Sequence, residues 1–144
     1  FSTSSAWGVS YECEKLKKHY DVVIIDTPPK VDSDLRPALR EADVILVPIS
    51  ASLVDLWATE GVLDLARREG KRPKIILNRI KRGTRLDAEV RAAAEQLEGE
   101  FVDAPLAHRV VYAETMGQGL GVLEAARKGP AAAELDALMA ALAV

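Results

Sequence analysis

The most constraining feature of this chain is a run of four β-branched residues, VVII at positions 22–25. The run lacks the alternation of apolar and polar residues that a half-exposed strand shows. It therefore predicts a strand buried on both faces, as in a parallel sheet. The strand is expected to end at Asp26, because Pro28 and Pro29 have no N–H with which to continue a ladder.

Three further apolar runs have the length of strands, at residues 43–49, 73–78 and 100–103. Segments with apolar residues at helical spacing separate or flank them, at residues 11–20, 34–42, 53–69, 84–98, 110–116 and 131–142. This alternation predicts an α/β fold, a parallel sheet of about four strands with helices on both faces. No linker or repeat divides residues 1–144, so we interpret them as a single domain, with residues 1–10 as a loop or a truncated connection.

Composition narrows the class of protein. A net charge of −3 provides no general attraction for nucleic acid or anionic membrane, and no apolar run is long enough to cross a membrane. The single cysteine, Cys13, excludes an internal disulfide framework and fits a reducing cytoplasm. His19 and His108 have no cysteine nearby, so we expect no zinc site. A cytoplasmic protein is the expectation.

Asp26 follows the first predicted strand, at the place where ligands bind in open α/β sheets. A carboxylate there can hold a phosphate-bound Mg²⁺, directly or through water. An aspartate in this position can equally cap the following turn. The residues themselves leave both interpretations open.

Four stretches occur in an order that resembles a known family: DVVIIDTPP at 21–29, DVILVPISASLVDLWATEG at 43–61, IILNR at 75–79 and ETMGQGLGVLEAARKGPAAAEL at 114–135. Together they resemble the ParA/MinD-type ATPases with a deviant P-loop (the CobQ/CobB/MinD/ParA nucleotide-binding domain), and within these the ParA-like branch. The resemblance covers nearly the whole chain from about Tyr20 onward. It implies a P-loop NTPase domain of the SIMIBI type that positions or partitions DNA or protein cargo, as in plasmid partition or chromosome segregation.

The resemblance implies a phosphate and metal side of the site. Asp26 corresponds to the family's Walker B aspartate, which supports Mg²⁺ through the metal's water shell and is the catalytic residue we assign. Thr27 and Pro28 correspond to the segment that senses the γ-phosphate. ATP and Mg²⁺ are thus the implied cofactors.

The resemblance also implies a base side. Asn78 corresponds to the asparagine that reads adenine, since its amide supplies both a donor and an acceptor. Arg79 follows it and is assigned to the same site. Pro105 and Leu106 correspond to the backbone segment that lines the other side of the base.

The implied partners are a second copy of the chain in an ATP-bound homodimer, a protein that stimulates hydrolysis, and DNA bound without sequence preference, which would place the protein on the nucleoid. Arg82, Arg85 and Arg109 are the candidates for DNA phosphate contacts, with an ordinary solvated basic loop as the alternative. Membrane binding is not expected. The last predicted helix carries Glu134 and Asp136 where the membrane-binding helix of MinD relatives has cations.

The phosphate-binding loop of the family is missing from these 144 residues, which contain no G-x-x-x-x-G-K-[ST] or G-G-x-G-K-[ST] motif. Because phosphoryl transfer depends on that loop together with Mg²⁺, we expect this polypeptide alone not to hydrolyse ATP, and ATP and Mg²⁺ to bind only with the missing segment present. Two alternatives remain. One is a non-enzymatic interaction module without a P-loop, and the other is an ATP-dependent domain of the cobyrinate-amidation or dethiobiotin-synthesis type.

Overall fold

The computed structural model describes residues 2–28 and 33–142. Short 3-10 helices lie at Ala6–Gly8 and Ser33–Leu35. The other elements are, in chain order, α1 (Val9–Leu16), α2 (Arg36–Glu41), β1 (Leu46–Ser50), α3 (Leu53–Arg68), β2 (Lys74–Asn78), α4 (Arg85–Ala94), β3 (Glu100–Val102), α5 (Val110–Gly117), α6 (Val122–Ala125) and α7 (Pro130–Leu142).

The strands form a parallel sheet in the order β1-β2-β3, with β2 in the centre. Successive residues of a strand point to opposite faces, so each face can bury its own set of side chains. One face packs against α3 and α4 through Val47, Ile49, Ile75, Leu77, Leu56, Leu63 and Val90. The other packs against α7 through Ile76, Val102, Leu138 and Leu142. The predicted α/β architecture, a parallel sheet between helices, is confirmed.

The first predicted strand is not formed. Residues 22–28 have no regular secondary structure, and the described sheet has three strands instead of about four. Val22 and Ile24 are 69% and 89% exposed, so the prediction of a strand buried on both faces is wrong for this structure. A β-branched run becomes a buried strand only when neighbouring strands and helices cover it, and in the described part of the chain no strand pairs with it.

β1 is an edge strand with one uncovered face. Its residues alternate between buried and exposed, whereas the sequence predicts burial on both faces. Leu46 is 46% exposed and Pro48 is also exposed, on the face where Ile76 packs under α7. The edge position tolerates Pro48, because an outward-facing strand edge does not require its missing N–H. The open edge and this face leave an apolar surface exposed.

The beginning of the chain is more regular than predicted. The sequence predicts a loop or a truncated connection at residues 1–10, and in the structure helical residues start at Ala6 and α1 runs from Val9 to Leu16. Gly8, at the amino end of α1, provides no side-chain cap, so the sequence carries no start signal there. Contact with α2 stabilises the helix instead.

α3 starts and stops where the sequence predicts, but it buries a different face. The Ser52 hydroxyl accepts a hydrogen bond from the Asp55 N–H (3.4 Å), and Gly70 follows the helix with a left-handed φ of 71°. The buried residues are Leu56, Thr59, Leu63 and Ala66. The apolar spacing predicts instead that the stripe with Val54, Trp57 and Val62 is buried, but Trp57 is 63% exposed. Apolar residues occupy two stripes of this helix, and spacing alone cannot choose between them.

The carboxyl end of α3 is joined to α2 by a shielded ion pair. The Glu69 side chain is 7% exposed and accepts hydrogen bonds from Arg36 Nε (2.7 Å) and Arg40 Nε (3.0 Å). The bond from Arg36, followed by that from Arg40, lowers the pKa of Glu69. Because α3 runs back from the carboxyl end of β1, this ion pair lies towards the amino ends of the strands.

No helix within residues 2–28 and 33–142 is both long enough and apolar enough to cross a membrane. The last helix, α7, instead contributes Leu138 and Leu142 to the core under β2 and β3.

Replacing Ile75 with alanine should lower the free energy of unfolding by about 2–5 kcal/mol, because this side chain is fully buried (0% exposed) and its loss leaves a cavity. The same change at Ile24 should cost less than about 0.5 kcal/mol, since that side chain is in solvent. Urea unfolding followed by circular dichroism measures both. An equal cost at the two positions would show that residues 22–25 are buried in solution, as their sequence predicts.

Candidate functional site

The carboxyl ends of the three parallel strands lie at one edge of the sheet, at Ser50, Asn78 and Val102. The segments that follow, 51–52, 79–84 and 103–109, leave the sheet there. In open α/β sheets this edge is where ligands bind, because the loops diverge and leave a crevice between them.

Backbone pairing continues beyond β2 and β3. The Leu106 N–H donates to the Leu77 carbonyl (2.9 Å), the Ile80 N–H to the Leu106 carbonyl (3.1 Å), and the His108 N–H to the Ile80 carbonyl (2.8 Å). Ile80 and Ala107 form a parallel bridge. This ladder brings the predicted base-side residues together, with Asn78 at the end of β2, Arg79 directly after it, and Pro105 and Leu106 in the segment that extends β3.

Asn78 is half-buried and retains hydrogen-bonding capacity. Its Oδ1 accepts from the Arg79 N–H (2.9 Å). An amide oxygen has two lone pairs, so one acceptor site and the two Nδ2 donors have no partner among the described residues. Arg79 has a φ of 54°, an uncommon conformation for a residue with a side chain, and the Oδ1 contact stabilises it. The donor and acceptor that adenine requires are therefore present.

Asp26, Thr27 and Pro28 are exposed and lie in the irregular segment 22–28. Pro29, the last residue of the DVVIIDTPP stretch, lies outside the described residues. Among the residues that the structure describes, no hydrogen bond or ion pair joins Asp26 to Asn78 or to the loop after β3. The structure thus brings the base-side residues together, whereas no described bond connects the predicted metal-side residues to them.

The protein groups around Asp26 do not form a metal site by themselves. The described residues include no group of three or more His, Cys, Asp or Glu side chains that could hold a metal ion. Mg²⁺ is commonly held by one or two carboxylates together with phosphate oxygens and water. The exposed Asp26 carboxylate fits that limited role, in which the other ligands come from a nucleotide and solvent.

The three candidate DNA-binding arginines have different surroundings. Arg85 is 92% exposed and, among the residues that the structure describes, pairs only with Glu89, one turn along α4 (2.7 Å). Arg109 is 32% exposed and donates from Nε and Nη2 to the buried carboxylate of Glu134. Arg82 donates to the Pro105 carbonyl (3.3 Å) and lies 3.7 Å from Glu134. Arg85 is thus the most available of the three for an external phosphate.

We call residues 103–109, which follow β3, the base-side loop. An open cleft of about 640 Å³ lies between this loop, α4 and α7. Three arginine and three carboxylate side chains are among the residues that line it: Arg82, Asp87, Arg91, Asp103, Arg109 and Glu134. Arg91 pairs with Asp103 and lies over the Phe101 ring. These internal pairs satisfy most of the charge, so the cleft is a structured polar region and not a field of one sign.

Sequence reasoning missed the structural role of Glu134. It used this residue only as an acid in place of the cations of a membrane-binding helix, whereas the side chain is 8% exposed and bonded to the loop after β3. A carboxylate within the alanine- and leucine-rich stretch at 130–142 was the available signal. A charged residue in such a segment is buried only if it has partners.

Comparisons with known proteins agree with this architecture. A family model described as an AAA domain matches residues 5–78, just over half of the chain. The chain is 26% identical over 122 residues to the maintenance of carboxysome distribution protein A of Halothiobacillus neapolitanus, which covers 81% of this chain and 56% of that protein. It is 33% identical over 98 residues to elongation factor 2 of Haloarcula marismortui, covering 67% of this chain and 13% of that protein.

Among solved structures, the MinD cell division protein of Aquifex aeolicus superposes with a TM-score of 0.75 at 21% identity. This alignment covers 96% of the chain described here and 60% of the MinD chain. The chain therefore spans little more than half the length of the carboxysome relative and of the MinD structure. It belongs to the AAA domain family and has the fold of a ParA/MinD-type P-loop NTPase domain.

Proposed function

We propose that this chain is the base-binding and Walker B part of a ParA-like ATPase that positions cargo within the cell. The observation that carries the proposal is the backbone ladder between residues 77–80 and 106–108. It places Asn78 opposite Leu106 at the carboxyl edge of a parallel sheet, and the Asn78 amide has a donor and an acceptor to offer. This is the hydrogen-bonding pattern that an adenine edge requires.

The carboxysome relative supports a positioning role. Its name describes the maintenance of carboxysome distribution, and its alignment covers 81% of this chain. An equivalent function here is the distribution of a protein assembly or of DNA. In such a cycle ATP and Mg²⁺ support a homodimer, and a partner protein stimulates hydrolysis, with Asp26 as the Mg²⁺-supporting carboxylate and Thr27 and Pro28 close to the γ-phosphate.

Exposed apolar residues in the segment 22–28 and on β1 support a larger nucleotide-binding domain of which residues 1–144 are one part. Val22, Ile24 and Leu46 are 69%, 89% and 46% exposed, an arrangement that costs free energy in water. The MinD chain and the carboxysome relative are both much longer than the part that aligns. A further segment that pairs with β1 would cover this surface and supply the phosphate-binding loop.

The sequence leads to the expectation that ATP binds only with the missing segment present. Because the base side is already assembled without that segment, we propose instead that the 144-residue chain binds the nucleotide weakly through its base. Replacing Asn78 with aspartate should then weaken binding of a fluorescent ATP analogue by about tenfold and raise the relative affinity for the GTP analogue. Aspartate keeps the oxygen that accepts from Arg79 but has no donor for a ring nitrogen of adenine, and it can accept from the ring N–H and amino group of guanine. Fluorescence titration with both analogues measures this change in preference. An equal loss of affinity for both analogues would show that Asn78 does not read the base. If neither analogue changed the fluorescence when added to the wild-type chain, the non-enzymatic interaction module would be favoured.

The purified 144-residue polypeptide should release no phosphate from ATP above the rate of the buffer, because its sequence contains no glycine-rich loop with a phosphate-binding lysine. A phosphate-release assay with Mg²⁺ present measures this. The matched variant Asp26→Asn identifies contamination, since contaminating activity persists in it. Phosphate release that the substitution abolishes would contradict the proposal that this segment is inactive alone.

Replacing Arg85 with alanine should weaken non-specific DNA binding and reduce the slope of log K against log salt by about one, because one phosphate contact is lost. Arg68→Ala is the matched control, since its side chain is also largely exposed (69%) but lies at the other end of the domain, on α3. Fluorescence anisotropy with a labelled duplex at several salt concentrations gives both slopes. Equal slopes for the two variants would argue against a DNA contact at Arg85.

A further inference from the structure

Glu134 on α7 is bonded to the loop that follows β3. Its Oε2 accepts from the Ala107 N–H (3.2 Å) and from Arg109 Nε (3.1 Å), and its Oε1 accepts from Arg109 Nη2 (2.7 Å). The Tyr112 hydroxyl lies 3.4 Å from Oε2. One buried carboxylate thus holds main-chain and side-chain groups of residues 107–112.

The same loop is held on its other side by β2. Leu106 and His108 donate their N–H groups to the Leu77 and Ile80 carbonyls. Ala107, between them, points its N–H the other way, to Glu134. The segment opposite Asn78 is therefore fixed between the backbone of β2 and a side chain of α7.

The charge state of Glu134 makes this attachment strong. The hydrogen bond from Arg109 lowers the pKa of Glu134 against the opposing effect of burial, so the carboxylate is ionised at neutral pH. Hydrogen bonds between ionised partners are stronger than neutral ones, and the paired arrangement with Arg109 also fixes orientation. Removing the charge leaves Arg109 without its carboxylate partner in a partly buried place.

We propose that Glu134 is a positioning residue of the base subsite: it holds residues 105–109 at a fixed distance from Asn78, and the C-terminal helix thereby sets nucleotide affinity without touching the nucleotide. This inference rests on the proposed nucleotide function. It assigns a binding role to α7, a helix that otherwise serves as packing for the sheet.

The structure offers a matched control for the test. Glu69 is a carboxylate of nearly the same exposure, 7% against 8%, and it is likewise bonded to arginine Nε groups. Glu69 lies towards the amino ends of the strands, whereas Asn78 lies at their carboxyl ends. Glu69→Gln and Glu134→Gln therefore remove comparable ion pairs, and only the second is connected to the base-side loop.

The experiment compares both variants with the wild-type chain by amide hydrogen exchange and by titration with a fluorescent ATP analogue in the presence of Mg²⁺. Glu134→Gln should speed exchange at Ala107 and His108 and weaken binding of the analogue by about tenfold. Glu69→Gln should leave both unchanged, even where its unfolding midpoint falls by a similar amount.

Two results of the titration would overturn the inference alone: unchanged affinity in Glu134→Gln, or an equal loss of affinity in Glu69→Gln, which would reflect general destabilisation. Absence of binding by the wild-type chain would overturn the proposed function, and the positioning role with it. Exchange at Ala107 that is the same in Glu134→Gln and in the wild type would show that Glu134 does not hold the loop.

Discussion

The candidate site depends on the backbone ladder of the central strand. β2 is hydrogen-bonded to both neighbours, and its Ile75 and Leu77 side chains are fully buried. Because bonding continues past Asn78 as far as Ile80, the loop after β3 follows β2 to residue 108 before it separates. Residues from two distant parts of the sequence are thus placed by main-chain bonds, which tolerate side-chain variation and specify position closely.

The parts of the fold that the sequence predicts correctly are those with local causes. Ser52 and Thr84 cap α3 and α4, each accepting a bond from the N–H three residues later, and Gly70 ends α3 in the left-handed conformation. β2 is buried on both faces because α3 and α4 cover one and α7 the other. Asn78 and Leu106 lie near each other because parallel strands bring their carboxyl ends to the same end of the sheet. The base-binding role of these residues is implied by the family resemblance and stays a prediction.

The predictions that are wrong concern features decided by what lies next to an element. The run at 22–25 has the composition of a central strand, yet composition cannot supply the neighbours that would bury it. Trp57 sits on an apolar stripe of α3 that the described chain leaves uncovered. Glu134 looks like a solvated residue because its partners, Ala107 and Arg109, are more than twenty residues away. In each case the deciding contact is distant in sequence or absent from the described residues.

The site therefore consists of a base side that is held by hydrogen bonds and a metal side that is exposed. Asn78, Leu106 and Glu134 are connected through backbone and charge-assisted bonds, while Asp26 stands in an irregular segment without a described partner. Binding energy from the base and energy from the phosphates would then come from separable parts of the domain. A chain with only the base side should show base preference before it shows catalysis.

The most direct test of this account is a map of backbone amide chemical shifts during titration of the 144-residue chain with ATP and Mg²⁺. The account predicts that the largest changes cluster at residues 78–80 and 104–108, on the two sides of the ladder. Changes confined to α1 and α2, or a spectrum that does not respond to the nucleotide, would contradict the existence of a base subsite at this edge of the sheet.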